Sequence, residues 1–140
     1  MGSISTFVFQ RRSAQRAEVF ARQERLRQER LTAYSACAGA ITELKRAVVG
    51  LWLRRRSDPH GAEYATALAE CDRLGAAAEH ARFRVQLVAE DPALTVLADA
   101  AFATIGAVRD AAGRTELLDH EARCLDALGA FMASAAAQVR

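Results

Sequence analysis

Few residues in this 140-residue chain have the type and spacing for chemistry. Glu116, His120 and Cys124 stand four apart, which sets a carboxylate, an imidazole and a thiol on one face of a helix, three of the four ligands a tetrahedral zinc site needs. No fourth ligand of known position accompanies them, so the spacing predicts a solvated helix face and no metal. No glutamate precedes a histidine by three residues, and the Glu-x-x-His pairs of di-iron bundles are therefore missing. His60 sits in a turn signal and His80 follows Glu79, neither with a nucleophile in view. There is no GxGxxG and no GxxxxGK[ST], so no phosphate cradle is encoded. Cys37, Cys71 and Cys124 form no CxxC and each falls inside a helical pattern; they read as small core hydrophobes in a reducing compartment. No catalytic residue, cofactor or metal follows from these patterns, and the chain is expected not to be an enzyme.

Charge is the other candidate for function. The first 58 residues carry twelve basic and five acidic side chains, and the remainder seven and twelve, so the net +2 conceals halves of +7 and −5. Such halves attract, within one chain or between subunits arranged head to tail. Arg11, Arg12, Lys45, Arg46, Arg54, Arg55 and Arg56, the last five with Trp52 nearby, are the candidate basic patch for a lipid headgroup or a nucleic-acid phosphate. Trp52 itself falls on a core stripe, and arginines at a helix end are ordinarily solvated, so nucleic-acid binding is the weaker reading.

These groups must be placed by helices. Thirty-two alanines, eight glycines and two prolines leave too few turn residues for a sandwich or barrel, and no β-branched alternation is present. Half the residues are hydrophobic, enough for one domain of this length. No uninterrupted apolar run approaches the roughly 18 residues of a membrane span. Residues 11–30, RRSAQRAEVFARQERLRQER, have high helix propensity but an apolar content limited to Val19, Phe20, Leu26 and alanines. From Leu31 a proper stripe opens: Tyr34, Ala38, Ile41, Leu44, Val48, Leu51 and Trp52. No breaker separates the two parts, which predicts one helix from about Ser5 to Arg56, roughly 75 Å long. That exceeds the height of a 140-residue globule, so its first half must protrude or find a partner.

Asp58-Pro59 ends this helix. A second is predicted from Ala62 to Ala89, with the face Tyr64, Ala67, Leu68, Cys71, Leu74, Ala78, Ala81, Val85 and Val88. Asp91 as N-cap and Pro92 open a third that runs to Ala112 on Leu94, Leu97, Ala101, Thr104, Ile105 and Val108, with Gly113 as its C-cap. A fourth opens near Thr115 with the stripe Leu118, Leu125, Leu128, Met132, Ala135 and Val139. Short connections make this an all-α, antiparallel four-helix bundle over residues 31–140, with residues 1–30 as an apolar stub and a polar oligomerisation or juxtamembrane helix.

The stretch RRSAQRAEVFARQERLRQERLTAYSACAGAITELKRAVVGLWLRRRSDP, followed by HARFRVQLVAEDPAL, resembles a group of small actinobacterial helical proteins. An excess of alanine and of arginine over lysine, as in a GC-rich genome, agrees with that source. The resemblance implies an N-terminal membrane anchor upstream of Ile4, with Arg11 and Arg12 holding the bundle on the cytoplasmic side. It transfers no functional residue. The expectation is a non-enzymatic helical interaction or scaffold module, homo-oligomeric through Phe7, Phe9, Phe20 and Leu26 and tethered at the inner membrane face. A sensor for a small apolar ligand, held among the alanine-rich helices, and a nucleic-acid-binding accessory are the alternatives.

Overall fold

The structure is a computed structural model that describes residues 2–140. Four helices follow one another, α1 (Ser3–Ser57), α2 (Ala62–Val88), α3 (Pro92–Arg109) and α4 (Arg114–Gln138), and among the described residues there is no strand. The expected all-α bundle is what the chain forms. α1 packs on all three other helices and α3 on its neighbours α2 and α4, while α2 and α4 do not meet. The cross-section is thus a rhombus with α1 and α3 on its short diagonal. The core runs along Tyr34, Cys37, Ile41, Leu44 and Val48 of α1, with Val85, Leu94, Val108 and Phe131 from the others.

The helix ends explain the topology. Asp58 stops α1 before Pro59 while its amide still bonds to the Arg54 carbonyl at 2.8 Å. Gly61 closes the turn, its amide donating to the Asp58 carbonyl at 3.3 Å, and serves as the N-cap residue of α2. Asp91 caps α3 by accepting from the Ala93 amide at 2.9 Å, with Pro92 in the first turn, where its missing N–H costs nothing.

Two sequence expectations need correction. α3 stops at Arg109, three residues before Ala112, and Gly113 is the N-cap of α4 rather than a C-cap of α3. The cause lies in α1: Trp52 Nε1 donates to the Ala111 carbonyl at 2.9 Å and Arg56 donates to that of Ala112, so the end of α1 holds the linker open. Glu116 then reaches back to the Ala112 amide at 3.3 Å. The second correction concerns the buried face of α4. It is Leu117, Cys124, Leu128, Phe131 and Ala135, while Leu118, Leu125 and Met132 are exposed at 60, 55 and 43%. The helix has two apolar stripes about a quarter-turn apart. Phe131, wholly buried and edge-on to Tyr34 at 6.4 Å between ring centroids, selects the inner one. Leu68 of α2, placed on the core face by spacing, likewise lies exposed.

α3 is 18 residues long with a mean hydropathy of 1.3, apolar enough by length and composition to cross a membrane. Here it packs within the bundle, and its Asp99 pairs with Arg82 of α2 at 3.0 Å.

Candidate functional site at the uncovered half of α1

α1 holds 55 residues and so extends about 82 Å, while α2 reaches only about 40 Å. The bundle shelters α1 from Arg30 onward; every residue from Gly2 to Glu29 is exposed. The uncovered portion is therefore a stalk about 40 Å long. The register of the core stripe accounts for the boundary. Stepping back from Tyr34 by alternating fours and threes lands on Arg30, Arg27, Gln23, Phe20, Arg16, Ser13 and Phe9. Polar side chains at most of these positions leave α2, α3 and α4 nothing apolar to cover.

Arg27 and Arg30 close the bundle as a collar. Arg27 Nε donates to the Val139 carbonyl at 2.6 Å, and Arg30 Nε donates to that of Val88 at 3.0 Å, while Arg30 Nη2 reaches Glu90 at 2.8 Å. Both cations thus satisfy carbonyls at the C-terminal ends of α4 and α2, where the helix dipole is negative. Beyond the collar, Ile4, Phe7, Val8, Phe9, Val19, Phe20 and Leu26 lie exposed. They make no single face. Phe9 and Phe20, eleven residues apart, project within about 20° of one another; Phe7 is on nearly the opposite side, and Leu26 lies with Val19 on a third line. Ile4, Phe7 and Val8 share one side of the first turns, with Phe9 about 100° further round and Thr6 and Gln10 on the remaining side, followed at once by Arg11 and Arg12.

The seven basic residues do not form one patch. Arg11 and Arg12 are about 65 Å from the Arg54–Arg56 end, because an unbroken helix separates them. Lys45 is buried and pairs with Glu121 of α4 at 3.4 Å, while Arg46 is exposed. Arg56 lies over the Trp52 ring at 4.1 Å. Arg55 and Arg56 with Arg109 line a groove at the lower end of the bundle, where Asp110 offsets part of their charge. Lys45 stands on the core side of α1, next to Leu44; a charged residue on that stripe was the signal for a buried partner across the interface.

The trio Glu116, His120 and Cys124 is divided by the fold. Glu116 accepts from the Ala112 amide ahead of α4 and lies 3.4 Å from His120, whereas Cys124 points into the core, and no set of three metal-ligating side chains converges among the described residues. Burial pushes the Cys37 thiol up to about 11 and raises that of Cys71, so both stay protonated and poor nucleophiles. The most apolar groove, between α1 and α4 at Leu31, Tyr34, Met132 and Ala135, holds about 210 Å³, below the roughly 300 Å³ at which small-molecule pockets begin.

Against this geometry the comparison with protein families is informative. Residues 31–139 match the model for the KilB plasmid transfer protein. The chain belongs to the KilB family. No curated protein and no solved structure matches it. The KilB match covers more than three quarters of the chain and starts one residue after Arg30, where the bundle begins to shelter α1. The family signature is thus the bundle, and the stalk precedes it.

Proposed function

We propose that this KilB-family chain is a non-enzymatic helical interaction module acting in plasmid transfer, in which the bundle is the folded body and the stalk the contact. The observation that carries this reading is the exposure of every residue of α1 from Ser3 to Glu29, with seven large apolar side chains among them. Most helical stability in proteins comes from packing an apolar face, which the stalk does not do within its own chain, and this favours a partner for it. A second copy supplies the commonest such partner, and homo-oligomers through paired stalks follow. The apolar cluster at Ile4, Phe7, Val8 and Phe9, bounded by Arg11 and Arg12, favours a tether at the inner face of a membrane. The alanine and arginine excess accords with an actinobacterial source.

Light scattering on the full chain tests the reading. Wild type is expected to self-associate, and replacing Phe7, Phe9, Phe20 and Leu26 together with serine is expected to reduce that association while the helical signal of the bundle persists. Flotation with anionic vesicles tests the tether, which should weaken in the same variant. A wild-type chain that is strictly monomeric, leaves vesicles unbound and is cleaved rapidly within residues 3–29 would remove the proposal.

A further inference from the structure

The outer stripe of α4 has a regularity that the fold does not use. Leu118, Ala122, Leu125, Gly129, Met132 and Ala136 recur at alternating fours and threes, and all six are exposed. They fall within an arc of about 80°, the narrow seam by which one helix packs against a single other. Large and small residues alternate along it. At Gly129 a Cβ would meet no atom of its own chain, as also at Gly39 and Gly106, so the stripe is open there to a side chain from outside the subunit.

The alternation is self-complementary in one orientation. An antiparallel partner related by a two-fold axis beside Ala127 sets Leu118 against Ala136, Ala122 against Met132 and Leu125 against Gly129, and the symmetry repeats each pair in reverse. Every large side chain then meets a small one, and the two axes keep one separation along the seam. A parallel pairing in register sets leucine on leucine and glycine on glycine, bulging and gaping in turn. Antiparallel dipoles also attract.

Area supports a second copy over a single short peptide. α4 alone offers a footprint of about 400 Å² on its length and width, and Leu31 of α1, exposed beside it, lines a groove with Met132. The adjoining face of α1 at Leu31 widens that footprint toward the roughly 800 Å² that each partner contributes to a stable interface. We infer that two copies of the chain dock through the outer face of α4, antiparallel, with Leu125 of each seated on Gly129 of the other. This contact is separate from the stalk and sends the two stalks in opposite directions.

The full chain with its four stalk positions changed to serine isolates this contact. That variant is expected to remain a dimer in sedimentation at about 100 µM, and adding Leu125→Arg or Gly129→Leu is expected to weaken dimerisation by about tenfold or more with the helical signal unchanged. Leu125→Cys combined with Gly129→Cys should give a disulfide-linked dimer on mild oxidation, since the native cysteines are buried. The combination of Thr66→Cys on the exposed flank of α2 with Asp72→Cys should not. If the stalk variant is a dimer that both α4 substitutions leave intact, or is itself monomeric, the α4 contact is overturned. Loss of association through the α4 substitutions alone, in an otherwise wild-type chain, counts against the stalk instead.

Discussion

The two halves of α1 are continuous in backbone and opposite in circumstance. From Arg30 to Ser57 the helix is the central post of the bundle; from Ser3 to Glu29 every residue is exposed, and the Arg27 side chain reaches the rest of the chain at the Val139 carbonyl. Propensity and the lack of a breaker keep both halves helical, but cover depends on which side chains occupy the core register. In the lower half those positions hold Tyr34, Cys37, Ile41, Leu44 and Val48, and in the upper half mostly arginine, glutamine and serine. Helical continuity and burial are thus specified separately. The largest expected effect breaks the comparison if it fails: Ile41→Ala should cost about 2–5 kcal/mol in urea unfolding, and Phe20→Ala within about 0.5 kcal/mol in the monomer. Equal losses at the two sites would mean that the stalk is sheltered by its own chain.

The next effect concerns the buried thiols of the lower half. Cys37 is fully buried among apolar groups, and its pKa is raised from the ordinary 9 to about 11. Because the folded state holds the proton more tightly, its stabilisation is complete below pH 9 and is lost as pH rises toward 11. Roughly 2–3 kcal/mol should disappear over that window, and Cys37→Ser or Cys37→Ala should flatten the slope. Alkylation at pH 8 should be negligible in the folded chain and rapid once it is unfolded. Smaller again is the α1–α4 pair. Lys45→Ala leaves Glu121, itself partly covered, without its cation, and about 1–2 kcal/mol is expected, whereas Lys45→Met should restore most of it.

Much of the fold was legible because local rules set it. The helix-breaking Asp58-Pro59, the Asp91 cap followed by Pro92, and the change of α1 from polar to striped at Leu31 all act within a turn of their own position. What escaped was tertiary. Either stripe of α4 satisfies a helical period, and only the Phe131 ring against Tyr34 decides which turns inward. The early end of α3 depends on Trp52 and Arg56, more than fifty residues upstream in the chain. For the site, the stalk was readable from its sparse apolar content, but its aromatic groups were grouped by type, and helical geometry places them on different sides. The basic residues divide for the same reason: alike in type along the sequence, they are kept apart by one long rod.

The collar gives the smallest effect and the finest test of where the two halves divide. Arg27 and Arg30 occupy core-register positions, yet their contribution is electrostatic: each donates to a carbonyl at the end of a neighbouring helix. Arg27→Ala should cost only about 0.5–1 kcal/mol, because Val139 can exchange its lost partner for water. The change should be local, with faster amide exchange in the last turn of α4 near Ala135–Val139 and none at Ile41 or Leu94. Arg27→Leu separates the two roles. If the boundary is set by the polarity of the register, leucine at 27 places an apolar group two turns beyond Tyr34 with only the last turn of α4 beside it, so the stalk gains an exposed group and association increases without a gain in monomer stability. A leucine that instead stabilised the isolated chain would show that α4 can follow α1 upward, and that the division between post and stalk lies in the length of the partner helices.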